Sequence, residues 1–356
     1  MLNKKTVIVI GAGSGYDIGM PMGTKLAESI ASTTEIPIHQ NKRSPNNPIY
    51  SEMLRKHART VGSVHLNHEI VEYDRASNTI STGINLSNSI DDFVNIHQSD
   101  DRIIKAAKIA ISFNILKAER GCALYNERQG RRYVDFKKTM TSWYRRMFIQ
   151  LTHGVQKDDI ERSFQNMTFI NFNYDRCLEF YLIHALMAVF ACDEATANKV
   201  VSKANIYHPY GQVGYLPGMD AFGTVVQFGG GDNDDYDALR VSDELITYTE
   251  TISDTSLQQV MKMAVEDAEQ IIFLGFGFHA QNMQILTPDQ GKITRFKNVF
   301  VTGIGLSESN SGFVKNGLIS MSSPRDAVIN TANHVKMERD LDCARLLGDY
   351  DLAIRF

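Results

Sequence analysis

Five β-branched residues, Thr6-Val7-Ile8-Val9-Ile10, run directly into Gly11-Ala12-Gly13-Ser14-Gly15. A buried strand that ends in a glycine turn, with Pro21 placed where a helix can start and Lys25-Leu26-Ala27-Glu28 behind it, is the opening β-α unit of an α/β protein. The alternation returns later. Thr168-Phe169-Ile170 reads as a strand, Leu178 to Phe190 as a helix, and Asn205-Ile206-Tyr207 as a shorter strand. Ser256 to Gln270 reads as a helix leading into the strand Ile271 to Leu274. Asn298 to Val301 is a last strand running into Gly303-Ile304-Gly305. Strands alternating with helices predict a parallel sheet covered on both faces.

Between the first unit and Thr168 the pattern changes. Ile36 to Pro48 is polar and proline-bearing and reads as a long loop. Ser89 to Arg120 is mostly helical, with Ile104, Ala107, Ile111, Ile115 and Ala118 on one face and Gly121 placed to cap the end. A further helical stretch, about Tyr133 to Leu151, carries the single tryptophan, Trp143. The expected fold class is α/β, a Rossmann-like parallel sheet with a large helical insertion. Residues 1–33 and 160–310 form the core, 34–159 the insertion, and 311–356 a tail of mixed helix and loop packed on the core. No internal repeat or low-complexity tract interrupts this layout.

With 356 residues, 43% of them hydrophobic, the chain exceeds the roughly 250–300 residues at which one core usually stops growing, hence one large domain with an elaboration. Charged residues make up 22% and the formal net charge is -4, which excludes disorder by composition and generic binding to phosphate backbones. The basic run Arg128 to Arg146 reads as the solvated face of an amphipathic helix, so direct nucleic-acid binding is not expected. Phe180 to Cys192, the longest nearly apolar stretch, is interrupted by His184 and falls short of the ~20 residues of a membrane span. Lys4 and Lys5 before Thr6 to Ile10 lack the apolar continuation of a signal peptide. Cys122, Cys177, Cys192 and Cys343 lie far apart without metal-ligand spacing. They read as reduced thiols of a cytoplasmic protein with no metal site. The acidic run Gly229 to Asp237 lacks the spacing of a calcium loop and reads as a solvated loop.

Four segments carry candidate chemistry. The turn at Gly11 and Gly13 lets backbone amides approach a pyrophosphate. Its sixth position is Tyr16, and no acidic residue ends an obvious second strand, so a dehydrogenase is poorly supported. Asn171-Phe172-Asn173-Tyr174-Asp175 and Tyr207-His208-Pro209-Tyr210-Gly211 each follow a strand, at the edge where an open parallel sheet binds ligands. Gly275-Phe276-Gly277 and Gly303-Ile304-Gly305 end two more. Together they describe one long groove.

These motifs resemble, in order and spacing, those of the sirtuin-like family over most of residues 5–310. Gly11-Ala12-Gly13-Ser14 with Gly19-Met20-Pro21 is similar to its glycine-alanine-glycine loop, Asn173 and Asp175 to its asparagine-x-aspartate motif, and His208 with Gly211 to its histidine-glycine motif with two residues inserted. Ser89-Ile90-Asp91-Asp92-Phe93 and the helix ending Lys117-Ala118-Glu119 resemble the helical insert of the bacterial antiphage-defence branch. The four-cysteine zinc module of the deacylating members has no counterpart, since no cysteine falls between His208 and Gly275. The resemblance therefore implies NAD+ hydrolysis, with NAD+ as substrate and no true cofactor.

It further implies Asn173 and His208 as catalytic residues. Gly11, Ala12, Gly13, Ser14, Asp17, Gly19 and Met22 would meet the dinucleotide from the first loop, and Asp175, Gly275, Phe276, Gly277 and Gly303 from the later ones. Nicotinamide leaves a cation as a neutral ring, so no acid is needed for the leaving group. A carboxamide such as Asn173 can hold a water and the ribose hydroxyls, and His208 is expected to accept a proton near neutral pH. Asp175 orients that network or caps the helix that follows. The implied role is a defence effector that depletes NAD+, a homo-oligomer or the partner of a separate sensor protein, gated by the loops Ile36 to Pro48 and Gly229 to Asp237. The alternatives are a catalytically silent nucleotide-sensing subunit and an NAD-dependent deacylase.

Overall fold

The computed structural model describes residues 3–39, 42–61, 66–220, 222–231, 236–289, 291–324 and 332–355. Six parallel strands form one sheet: β1 (Thr6–Ile10), β2 (Met167–Asn171), β3 (Asn205–Tyr207), β4 (Gln270–Leu274), β5 (Asn298–Thr302) and β6 (Val335–Glu338). Their spatial order is β6-β5-β4-β1-β2-β3, and the register runs Ile8 to Phe169 on one side and Ile8 to Ile272 on the other. This is the Rossmann-like order. The chain winds outward from β1 to β3, then restarts beside β1 with β4. The winding reverses between β1 and β4, and a crevice forms at the carboxyl ends of these strands, the place where open α/β sheets bind ligands.

Every residue of β1 is buried, and its side chains alternate between two cores because strand side chains point to opposite faces. Val7 and Val9 face α1 (Gly23–Thr34), α2 (Pro48–Thr60), α3 (Leu66–Gly83), α4 (Ile90–Ile96) and α5 (Asp101–Gly121). Ile8 and Ile10 face α6 (Trp143–Thr152), α7 (Cys177–Phe190) and α8 (Glu194–Ser202), with Leu346 and Leu347 near the C-terminus. Residues 34–159 thus divide over both faces, α2 to α5 on one and α6 on the other. Beyond β3 the described helices are α9 (Asp237–Val241), α10 (Tyr248–Ser253), α11 (Thr255–Asp267), α12 (Ala280–Leu286), α13 (Glu308–Ser322) and α14 (Cys343–Asp349), with a short C-terminal turn of helix after it.

Several local expectations need correction. Tyr133 to Leu151 is not one helix. Asn126–Arg128 and Arg131–Tyr133 form a hairpin whose turn, Gln129 at φ +53° and Gly130 at φ +73°, has the two left-handed residues that match the strand twist. The basic run accordingly lies on a hairpin, a 3-10 turn and the start of α6 rather than along one helix face. Gly121 is the last residue of α5 and is followed by Cys122 at φ -82°, so no left-handed cap forms there. Gln270 begins β4 instead of ending α11, which stops at Asp267. The tail after residue 310 completes α13 and supplies β6, the edge strand pairing Val335 with Val299. In the Ile36 to Pro48 stretch, residues 38–39 and 42–43 pair as a small ladder and Pro48 opens α2, with Asn47 accepting the Tyr50 N–H at 2.9 Å. Residues 40–41 and 232–235, at the centres of the two loops expected to gate the groove, lie outside the described residues. No helix among the described residues is long and apolar enough to cross a membrane.

Candidate active site

The crevice at the switch point opens into a cavity of about 770 Å³, within the range of small-molecule sites. Its floor is backbone. Gly11 N–H donates to Leu274 O (3.0 Å) and Gly13 N–H to Gly275 O (2.9 Å), which stitches the β1 loop to the β4 loop. Gly275 has φ +58°, and a Cβ there would stand 2.0 Å from Ser14 N. Only glycine lets the two loops close together. Three residues on, Phe278 also sits in the left-handed region at φ +54°, a conformation that costs energy and concentrates at functional sites.

The walls come from three directions. Met22, Gly23 and Thr24 present the N-terminus of α1. Phe172, Asn173, Tyr174 and Asp175 follow β2, and Ile84, Asn85 and Ser87 to Asp91 reach over from the α3–α4 connection. Phe172, Tyr210 and Phe276 form an aromatic base, with ring centroids 5.1–5.8 Å apart. Tyr210 donates its hydroxyl to Asn282 Oδ1 at 2.7 Å, so the ring is fixed in orientation. No lysine or arginine is among the described residues of the lining, whereas Glu28, Asp91 and Asp175 are. Such a cleft favours a cation and leaves a ligand phosphate to the amides at the start of α1.

Asn173 lines the cavity. Its N–H donates to the buried Asn171 side chain at 3.1 Å, which turns the segment inward, and its own carboxamide makes no hydrogen bond to any described residue. Asp175 also lines the cavity while accepting the Cys177 N–H at 3.0 Å, so it is tied to the start of α7. Burial pushes its carboxyl up to about 6, partly offset by the Cys177 contacts. Gly11, Ala12, Gly13, Met22, Gly275, Phe276 and Gly277 line the same cavity.

Ser14, Asp17, Gly19 and Gly303 do not line it. Ser14 is buried and accepts the Trp143 indole N–H on its carbonyl at 2.8 Å. Asp17 accepts the Trp143 backbone N–H at 2.9 Å, so both residues anchor α6 rather than meet the cleft. Gly19 ends the 3-10 turns of Ala12–Ile18 at φ +82°. Gly303 donates to Glu338 O at 2.7 Å at the far end of the sheet.

His208 is likewise absent from the lining. Its Nδ1 lies 3.1 Å from the Asn173 carbonyl and its Nε2 2.8 Å from Glu179 Oε1. With Glu179 as a carboxylate both partners accept, and the imidazolium, with a proton on each nitrogen, satisfies both. Burial disfavours that cation, but the Glu179 carboxylate and the Asn173 carbonyl outweigh it and hold the ring above its ordinary value. A ring with both nitrogens donating has no lone pair for a proton. The base role expected from the sequence does not fit this geometry, which makes His208 a positioning residue behind Asn173.

Sequence reading singled out neither Glu179 nor the role of Asp91. Glu179 left a signal, a carboxylate in the first turn of α7, whose other residues apart from His184 are apolar or aromatic. Asp91 sits in the first turn of α4, where Ser89 accepts the Asp92 N–H at 3.0 Å, and its carboxylate accepts the Tyr174 hydroxyl. Nothing local in the sequence links those two residues. Residues Gly229 to Gly231, from the acidic loop, are tied down by Arg120, whose guanidinium donates to all three carbonyls at 2.7–3.3 Å. No described residue of either expected gate lines the cleft. No group of three or more histidine, cysteine or acidic side chains suited to a metal occurs among the described residues. The chain matches no protein-family model and no curated protein.

Proposed function

We propose that the chain is an NAD+ glycohydrolase that releases nicotinamide and ADP-ribose. The observation that carries this reading is the placement of an uncommitted carboxamide, Asn173, in an acidic cleft at the switch point of a Rossmann-like sheet, facing the N-terminus of α1. The pyrophosphate would lie at the amides of Gly23 and Thr24 and the nicotinamide ribose at Asn173. An oxocarbenium-like transition state gains from the carboxylates around it, and the ring departs neutral as the bonding pair returns to its nitrogen, which leaves the positive charge on the ribose. His208 acts through Asn173 by clamping its carbonyl. In keeping with the sequence resemblance, the setting would be a cytoplasmic antiphage defence system. Activity would be gated by self-assembly or by a sensor partner, because an unrestrained NAD+ hydrolase stops its own host's metabolism.

Nicotinamide release by the purified chain, alone and with the products of neighbouring genes, tests the reading. Asn173→Ala should lower the rate by about 10²–10³-fold, as removal of one positioned polar group does elsewhere, while the circular dichroism spectrum stays unchanged. Binding of NAD+ without any release would instead establish the second reading, a nucleotide-sensing subunit, which the withdrawal of His208 from the cleft favours.

A further inference from the structure

His208 is committed on both nitrogens, so the proton acceptors that line the cleft are His279 and the carboxylates. Among the carboxylates that line it, Glu28 is taken by Lys25 at 2.7 Å and Asp175 by the amide of Cys177. Asp91 has one side-chain partner, the hydroxyl of Tyr174, next in the chain to Asn173. We infer that Asp91 is the general base of this site, accepting a proton from the water that attacks the ribose. This rests on the hydrolase reading above. In the step, the water oxygen bonds to the ribose C1′ as the bond from C1′ to the ring nitrogen breaks. The bonding pair goes to that nitrogen and neutralises nicotinamide, while the water proton passes to the Asp91 carboxylate and then to solvent.

The placement of Asp91 is unusual for its element. α4 belongs to the helical segment between α1 and β2, not to the sheet edge, yet Asp91 lines the cavity together with Asn173. The Tyr174 ring is buried, so the hydrogen bond fixes the carboxylate relative to the β2 loop. The titratable groups that face Asp91 are Tyr174 and Tyr210 from the core, Asp92 from its own helix, Lys108 from α5 and Tyr248 from α10. Lys108 is engaged by Glu250 at 3.1 Å. Burial raises the Asp91 carboxyl to about 6 and the Tyr174 hydroxyl pulls against that rise. An acceptor in this range is ionised at neutral pH and still basic enough to take a proton.

The experiment is the pH dependence of nicotinamide release, from pH 4.5 to 9, for the wild-type chain in its active assembly, Asp91→Asn and Tyr174→Phe. The wild type should lose kcat on the acid side with a midpoint near 6. Asp91→Asn should fall about 10²–10³-fold in kcat, with KM changed less than threefold and the acid limb gone. Tyr174→Phe removes the bond that stabilises the carboxylate, so its acid limb should move to higher pH; a merely structural tyrosine would leave the midpoint in place. An Asp91→Asn chain with near wild-type kcat, or an unmoved limb in Tyr174→Phe, overturns the assignment while leaving the hydrolase reading intact. Absence of nicotinamide release by the wild type under every condition overturns both.

Discussion

Two buried ion pairs flank the segment that carries Asn173, and they differ in how completely they are satisfied. On one side Arg176 and Glu119, 1% and 0% exposed in their side chains, share two guanidinium hydrogen bonds of 2.6 and 3.1 Å. The remaining guanidinium donors reach Val226 O and Gln227 O, and Glu119 also accepts the N–H groups of Arg176 and Gly229. On the other side Glu179 holds His208 through Oε1 alone, and Glu179 Oε2 is buried without a partner. The first pair joins α5, the start of α7 and the 226–229 loop into a clamp. The second can lose its proton. The clamp sets where the site stands, whereas the titratable pair sets how firmly Asn173 is held.

The largest effect should come from opening the clamp. Glu119→Gln leaves the Arg176 charge buried without its counter-ion, and removal of one partner of such a pair costs about 3–5 kcal/mol. Chemical denaturation of the variant reads this directly, and a loss below about 1 kcal/mol would erase the distinction between the pairs.

A smaller, pH-dependent effect belongs to His208. Its folded value lies above the unfolded one, so the stability it contributes is complete below the unfolded value of about 6.5 and fades as pH rises through the folded value. The wild-type urea midpoint should therefore drop between pH 6 and pH 9 by more than that of His208→Gln. Equal slopes for the two proteins would mean that the ring is not held as the cation. Nicotinamide release by the variant should fall too, through the loosened Asn173 carbonyl.

The smallest effect is a gain of stability on substitution. Asp175 is raised to about 6 by burial, so the folded chain prefers its carboxyl protonated, and stability is lost as pH climbs from the unfolded value of about 3.9 to about 6. Asp175→Asn keeps an acceptor for the Cys177 N–H without the buried charge. It should be about 1–2 kcal/mol more stable at pH 7.5 and indistinguishable from wild type near pH 4. Clear destabilisation at pH 7.5 would place a cation against Asp175 and redraw the charge of the cleft.

Five of the six strands were legible, four of them because runs of buried β-branched and aromatic residues have few other uses; β3, exposed at Asn205 and half-buried at Ile206 and Tyr207, was legible only as a short apolar pair between polar segments. β6, Val335–Glu338, was not: it pairs on one side only and carries Lys336 and Glu338, so its residues lack a continuous apolar run. The hairpin at Gln129-Gly130 was hidden by the arginines and lysines around it, whose spacing also suits an exposed helix. Asn173 was legible as the residue two beyond a strand end, a position that any open parallel sheet exposes. His208 was legible as a residue of interest, but its role was not, since a histidine's function depends on what its two nitrogens meet.

By itself the sequence determined the class of fold, the position of the glycine turns and the edge of the sheet at which polar residues gather, since these follow from local propensity and from the two-residue period of a strand. Tertiary structure alone decided the strand order that puts Gly275 against Gly13, the 83-residue separation bridged by Tyr174 and Asp91, and the commitment of His208 to Glu179. Those outcomes depend on burial and on the pairing of groups distant in the chain. Burial is what raises a carboxyl, and pairing is what denies a ring its lone pair or, where it is missing, leaves a carboxamide free to bind something else.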